Sequence, residues 1–149
     1  MGLTLTDENG KDRAVLSTVN DGTTLNLCNE SDKGRAELIA DKDGTVLCLS
    51  DENGKTHVGL IADKDRTGLK LTDENGKDRA VLSTDKDGTT LNLSDENGEN
   101  RVALGTYKDG AGLNLCAENG KGRAVLSTVN DGTALCLSNE NGEAIWSAP

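Results

Sequence analysis

The stretch LTLTDENGKDRAVLSTVNDGTT, residues 3–24, decides the fold because its pattern recurs along the whole chain. Copies of this 22-residue unit begin at residues 3, 25, 47, 69, 91, 113 and 135, and the last copy is truncated. Leucine fills the first and third positions of every copy, and the fourteenth position of the six copies that reach it. The chain contains no other leucine, so the pattern indicates a tandem repeat with three sites for burial in each copy.

Each copy predicts two β-strands joined by tight turns. Leu3-x-Leu5 and Ala14-x-Leu16 are period-2 patterns, which place one apolar face on a strand. Asn-Gly and Asp-Gly between such strands are strong hairpin signals, because a type I′ turn needs positive φ at both central residues. The turns recur in every copy except where Ser31-Asp32 and Asp65-Arg66 replace them; one typical member is Asp131-Gly132. The sequence therefore predicts an all-β antiparallel hairpin meander with one leucine-rich face.

The position of the first turn sets the predicted strand register. A two-residue loop at Asn9-Gly10 would place Glu8 opposite Lys11 and Leu5 opposite Ala14, keeping apolar residues on one face. A three-residue loop would place Leu5 opposite Arg13, and we therefore expect the two-residue loop.

The second turn extends the same register. A two-residue loop at Asp21-Gly22 would place Leu16 opposite Leu27. The alternative architecture is a parallel β-solenoid with one copy per coil. The solenoid would stack the glutamates of successive copies about 4.8 Å apart, like charge on like charge, and the meander is therefore favoured.

The length of 149 residues and mass of 15.6 kDa suit one repeat domain over residues 1–149, with a C-terminal cap at 143–149. In that cap Trp146 takes the position held by Ala or Val in other copies, where it would plug the end of the apolar stripe. Pro149 cannot donate to a further strand. Hydrophobic residues make up only 34% of the chain, and Tyr107 and Trp146 are its only aromatic residues, which excludes a core built of large rings.

Charge restricts the partners. The net charge of −10 argues against nucleic acid and anionic membranes, both of which need a basic surface. No run of about 18 apolar residues predicts a membrane span, and no signal peptide opens the sequence.

The leucine stripe needs a cover, because a single sheet with two inward apolar residues per strand is marginally stable in water. Two solutions remain open: the meander folds into two facing sheets, or the stripe packs against identical chains. We expect self-association into a homo-oligomer, with a trimer as the favoured number of chains.

A column of arginines offers a ligand-binding face. We expect one arginine per hairpin on the face opposite the leucines, among acidic neighbours. These arginines would either form solvated ion pairs or line a track for a linear anion or an acidic glycan. His57, the only histidine, replaces an arginine in this column, and we interpret the replacement as drift at a surface position. The candidate ligand face consists of Arg13, Arg35, Arg79, Arg101 and Arg123.

Catalytic and metal sites are not predicted. The acidic turns that begin at Asp41 and Asp85 resemble the start of a calcium loop, but Thr90 stands where such a loop needs glycine. The cysteines lack a C-x-x-C spacing and are interpreted as small, half-exposed residues with no disulfide: Cys28, Cys48, Cys116 and Cys136. Near-identical repeats provide no unique cleft, so we expect neither an enzyme nor a cofactor.

The unit Leu-x-Leu-x-Asp-Glu-Asn-Gly-Lys-x-Arg-Ala-x-Leu resembles arrays in uncharacterised bacterial repeat proteins, several of which end in a similar Ile-Trp-x-Ala-Pro tail. The resemblance covers essentially the whole chain and brings no known activity. It implies a cell-envelope or extracellular location.

These observations predict a non-enzymatic structural or interaction protein, which forms an acidic β-repeat scaffold or fibre-like segment. The alternative is a carbohydrate- or calcium-dependent binding module that uses the repeated Arg/Asp face.

Overall fold

The computed structural model describes residues 1–31, 33–130 and 132–149, and of Val19 only the backbone. These residues form β-strands and turns without any helix, and hence without a helix that could span a membrane. Contacts group the chain into two compact units, Met1–Gly76 and Lys77–Pro149. The single repeat domain over residues 1–149 stays a prediction. Asp32 and Asp131, each part of a predicted turn, lie outside the described residues.

The first unit is an antiparallel meander in which each strand pairs with its neighbours in sequence. Its strands are β1 (Gly2–Thr6), β2 (Asp12–Val19), β3 (Gly22–Cys28), β4 (Gly34–Asp41), β5 (Gly44–Ser50), β6 (Thr56–Asp63) and β7 (Arg66–Thr72).

The second unit repeats this arrangement. Its strands are β8 (Asp78–Asp85), β9 (Gly88–Ser94), β10 (Asn100–Tyr107), β11 (Gly110–Cys116), β12 (Gly122–Val129), β13 (Gly132–Ser138) and β14 (Ala144–Ala148). The predicted antiparallel hairpin meander is confirmed, and the parallel solenoid is wrong.

The Asn-Gly turn differs from the prediction. The Asp7 N–H donates to the Lys11 carbonyl at 2.9 Å, and the Gly10 N–H donates to the Asp7 carbonyl at 3.0 Å. The loop therefore holds the three residues Glu8-Asn9-Gly10, and the predicted pairing of Glu8 opposite Lys11 is wrong. Gly10 alone in this loop has positive φ, at 77°. Such a three-residue loop is closed by glycine in the left-handed region.

A β-bulge restores the register that this longer loop would otherwise shift. Thr6 pairs with Asp12 while Leu5 pairs with Ala14, so that Arg13 is an extra residue on β2. The same irregularity recurs wherever such a pairing is described, from the first hairpin to the last. The predicted pairing of Leu5 with Ala14 is confirmed, although its mechanism is a bulge rather than a two-residue loop.

The Asp-Gly turn lies one residue earlier than predicted. Val19 pairs with Gly22 around a loop of Asn20 and Asp21, and Leu16 faces Leu25 rather than Leu27. Because this is an even shift of two residues, the leucines stay on one face.

The glycine of this second turn is needed for space beside the next strand. A Cβ on Gly44 would lie 2.6 Å from the Ala62 carbonyl oxygen, and one on Gly88 would collide with the Thr106 carbonyl. Glycine therefore begins β5 and β9 because a neighbouring backbone occupies the position of a side chain.

The leucine face carries two parallel rows of side chains in each unit. The uniform row contains leucine on every strand of the first unit: Leu3, Leu16, Leu25, Leu38, Leu47, Leu60 and Leu69. The alternating row places leucine and a smaller residue on successive strands: Leu5, Ala14, Leu27, Ala36, Leu49, Val58 and Leu71.

The second unit has the same two rows. Its uniform row is Leu82, Leu91, Leu104, Leu113, Leu126, Leu135 and, at the last strand, Ala148. Its alternating row is Ala80, Leu93, Val102, Leu115, Ala124, Leu137 and finally Trp146.

Neither unit has a hydrophobic core among its described residues. No hydrophobic side chain there is buried, and the exposed leucines range from 37% at Leu137 to 59% at Leu3. Within each unit the described strand-to-strand contacts join sequence neighbours alone. Folding into two facing sheets, one of the two predicted covers for the leucine stripe, is therefore not found within either unit.

Candidate functional site

The arginine column lies at the β-bulges beside the Asn-Gly turns, and its first member closes on its own turn. Arg13 Nε lies 3.2 Å from Asp7 Oδ2, while Asp7 Oδ1 accepts the N–H groups of Asn9 and Lys11 at 2.9 and 3.0 Å. The N–H of Lys11 is the main cause of the lowered pKa of Asp7. One carboxylate thus holds the three-residue loop on one oxygen and the bulged arginine on the other, an arrangement we call the turn clamp.

The turn clamp of the fifth copy is tighter. Arg101 donates from Nε and a terminal nitrogen to Asp95 Oδ2, at 2.9 and 2.6 Å. Partial burial raises the pKa of Asp95, but the N–H groups of Glu99 and Asn97 and the arginine outweigh it and leave the pKa lowered. The bulge explains this geometry, because an extra residue turns the arginine toward the loop.

The column contains three further arginines. Arg79 Nε donates to the Ser94 carbonyl oxygen at 3.1 Å. Asn29 and Ala117 stand at the clamp position in the copies of Arg35 and Arg123, so their turns offer these arginines no carboxylate there. Arg35 is exposed and Arg123 is half-buried. The column therefore contains arginines held in turn clamps and two arginines whose turns lack the clamping aspartate.

His57 forms a turn clamp with imidazole in place of guanidinium. Its Nε2 lies 3.0 Å from Asp51 Oδ2, and its Nδ1 lies 3.1 Å from the Thr72 carbonyl oxygen. Both partners are acceptors, so both ring nitrogens carry a proton when both bonds form. Asp51 is the main cause of the raised pKa of His57, and the histidine in turn lowers the pKa of Asp51 to about 2. His57 thus occupies the same position in a turn clamp as Arg13 and Arg101, a contact that the interpretation of His57 as drift does not include.

Lysines join successive copies at the Asn-Gly edge of the sheet. Lys11 Nζ donates to the Glu30 carbonyl at 2.6 Å, and Lys121 Nζ donates to the Asn141 carbonyl at 3.1 Å. Lys55 makes the equivalent bond to the Glu74 carbonyl. The sequence predicted Lys11 opposite Glu8 across its loop, but the three-residue loop lets this lysine reach the next copy instead.

A shallow cavity of about 220 Å³ lies on the opposite face of the second unit. Gly105 and Gly112 face each other there, and the Tyr107 ring lies over Gly105 where a Cβ would be 2.6 Å from the tyrosine hydroxyl. Asn92 and Asn114 line its rim. Tyr107 thus fills part of a gap that paired glycines leave.

The remaining candidates occupy separate positions. Trp146 lies opposite Leu137 on the leucine face and is 50% exposed. The cysteines are half-buried and free: Cys28, Cys48, Cys116 and Cys136. No group of three or more His, Cys, Asp or Glu residues in the described ranges is arranged to hold a metal ion.

No protein-family model and no curated protein sequence matches this chain. The resemblance to bacterial repeat arrays therefore stays a prediction.

The clamps could have been found from the sequence as a recurring spacing between an aspartate and a cation. Asp7, Asp51 and Asp95 each lie six residues before Arg13, His57 and Arg101, respectively. Sequence reasoning missed the pairing because it placed both residues on strands with a two-residue loop, which gives no reason for them to meet.

Proposed function

We propose that this chain is a non-enzymatic structural or interaction protein, an acidic β-repeat scaffold that self-associates through its leucine face. The observation that carries this proposal is the exposure of the two leucine rows, for example 42% at Leu16 and 43% at Leu27. The repeat pattern indicates that the leucines are buried, yet neither unit buries them among its described residues. A homo-oligomer supplies the missing cover.

The size of the stripe supports this proposal. Seven strands about 4.8 Å apart, with two side chains about 7 Å apart on each strand, define a stripe of roughly 450 Å² per unit. Monomeric soluble proteins rarely expose contiguous apolar patches larger than a few hundred Å². Two such stripes in one chain favour a partner surface of similar chemistry.

The charge distribution is compatible with the same proposal. Threonines such as Thr18, Thr23 and Thr45 border the stripe on the Asp-Gly side, whereas the acidic residues concentrate in the turns. Identical chains with a net charge of −10 repel one another at low ionic strength. Self-association should therefore strengthen as salt screens the turns.

The test is the absolute mass in solution, by size exclusion with light scattering, over a range of protein concentrations and between about 0.05 and 0.5 M NaCl. We expect a multiple of the 15.6 kDa chain mass and a larger oligomeric fraction in high salt. Three times the chain mass would fit the trimer predicted from the sequence, and twice the chain mass would fit a face-to-face pair. A mass of one chain at every concentration and salt level would overturn the proposal.

A second candidate is the carbohydrate- or calcium-dependent binding module that uses the Arg/Asp face. The exposure of Arg35, whose turn carries Asn29 in place of a clamping aspartate, favours an anionic ligand such as an acidic oligosaccharide. Titration with an acidic oligosaccharide, with and without calcium, tests this candidate. Binding that Arg35→Gln weakens and Arg101→Gln leaves unchanged would support it, and no binding in either condition would reject it.

A further inference from the structure

The alternating row has a regular profile of projections and hollows. Leu27 and Leu49 project beside Ala14, Ala36 and Val58, and neighbouring hollows lie two strands apart. Two strand spacings correspond to about 9.6 Å. The projections have the same spacing and are displaced by one strand, so this surface is the complement of itself after a shift of one strand.

We propose that neighbouring copies pack leucine face to leucine face with an offset of one strand, so that leucines of the alternating row enter the Ala/Val hollows of the facing copy. This inference rests on the self-association proposed above and specifies its geometry. The alternating row then determines register between chains, whereas the uniform row contributes apolar area without selecting one register.

The occupant is a second copy because the same row supplies both complementary shapes. Consider two facing copies related by a two-fold axis parallel to the strands. Each alternating row then lies opposite the alternating row of the other copy, with the order of the strands reversed. The leucines of each copy can therefore enter the Ala/Val hollows of the other copy. A sheet with every second residue small also packs to higher density than a sheet of leucines alone, since large and small side chains fill the space between facing sheets about 10 Å apart.

The two units together supply enough area for stable association. Covering the stripe of one unit with the stripe of a facing unit removes roughly 900 Å² from water when the strand dimensions are those of ordinary sheets, and two such contacts per chain remove roughly 1,800 Å². Stable interfaces bury about 1,200–2,000 Å² in total. The pattern of the second unit ends at Trp146, which fills a hollow position and marks where the interlocking stops.

Filling the hollows provides the decisive test. Ala14→Leu with Ala36→Leu adds apolar area at half-buried positions of the leucine face, so a non-specific hydrophobic stripe would associate more strongly. Interlocking predicts the reverse, because leucine would meet leucine across the interface. We expect the dissociation constant to increase by about tenfold or more, as overpacking a matched surface does. The matched control is Thr23→Leu with Thr45→Leu, which adds leucines to the same face outside both rows and should leave association unchanged or strengthen it.

An exchange variant separates shape from composition. Adding Leu27→Ala and Leu49→Ala to the hollow-filling pair moves the alternation by one strand while the number of leucines stays the same. We expect this variant to recover most of the association that the hollow-filling pair loses. Circular dichroism of each variant confirms that the β-structure is retained.

The outcomes distinguish this inference from the proposed function. If the wild-type chain is monomeric under all conditions, the self-association proposal fails and the interlocking fails with it. If the wild type is oligomeric but the hollow-filling pair associates more tightly, or the exchange variant shows no recovery, the interlocking alone is overturned.

Discussion

The two faces of each sheet differ in a way that their composition does not suggest. Leu16 and Leu27 on the leucine face are 42% and 43% exposed, whereas Ser17, Thr24 and Asn26 on the opposite face are less exposed. The opposite face is cross-linked within the chain, since the hydroxyls of Ser17 and Thr24 share a hydrogen bond at 2.7 Å. The leucine face also carries a threonine hydroxyl pair among the described residues, but this pair lies outside the two leucine rows. A period-2 apolar pattern therefore identifies the side chains of one face, but not whether the chain itself covers that face.

Lysine substitutions should have the largest effects of all, and these effects should differ between the leucine face and the opposite face. Leu38 and Ile39 are adjacent on β4 and point to opposite faces, as do Leu60 and Ile61 on β6. We expect Leu38→Lys with Leu60→Lys to give the mass of a single chain, because unpaired ammonium groups are costly to bury in an apolar interface.

The control for this prediction is Ile39→Lys with Ile61→Lys. It should lower the free energy of unfolding, since it removes apolar contacts within the sheet, but it should leave the oligomer mass unchanged. Equal loss of mass in both variants would show that the faces do not differ in function.

Two glycines with open surroundings differ in backbone conformation, because one lies in a turn and the other in a strand. A Cβ on either Gly120 or Gly59 would meet no other atom within 4 Å, but Gly120 has φ of +73°. Gly120→Ala should destabilise the protein by about 1–2 kcal/mol, because an alanine in the left-handed region is strained. Gly59→Ala on the opposite face should stabilise it by about 0.4–1 kcal/mol, by restricting the unfolded chain. Urea denaturation of both variants measures the difference, and equal effects would contradict the assigned turn geometry.

The clamps should contribute less than the turn glycine, and unequally. Arg101→Gln removes a two-nitrogen contact with Asp95, whereas Arg35→Gln removes no such contact. We therefore expect Arg101→Gln to lower the melting temperature and Arg35→Gln to leave it nearly unchanged. Because these groups are partly exposed, the difference should decrease in high salt. The same melting temperature for both variants would argue against the clamps as stabilising contacts.

His57 should make the smallest contribution, and the one that depends on pH. Asp51 raises the pKa of His57 above its ordinary value, so the stabilisation from protonated His57 is present below that ordinary value and is lost as pH rises through the raised value. An NMR titration of this single histidine should therefore report a raised pKa, and Asp51→Asn should lower it. His57→Arg should keep the clamp while removing this part of the pH dependence. A histidine that titrates identically with and without Asp51 would contradict the contact.

Much of the fold follows from local pattern. The repeat length, the strands, the antiparallel order and the pairing of Leu5 with Ala14 were predictable because alternation and turn residues act over a few neighbours. The loop length at Asn9-Gly10 was not predictable in the same way. A three-residue loop shifts the strand register by one residue, and the bulge shifts it back. The leucine pattern is therefore the same as for a two-residue loop without a bulge, so it does not distinguish the two.

The candidate sites show the same division. The repeat pattern alone identifies the columns, which are the arginines with His57 and the leucines of the two rows. The contacts of Arg13 and Arg101 with Asp7 and Asp95 follow from strand pairing, because the bulge that re-aims these arginines depends on hydrogen bonds between strands. The exposure of the leucine rows within each unit is likewise a property of the folded chain, since covering a face requires a second layer and a local alternation of residues contains no information about where that layer comes from.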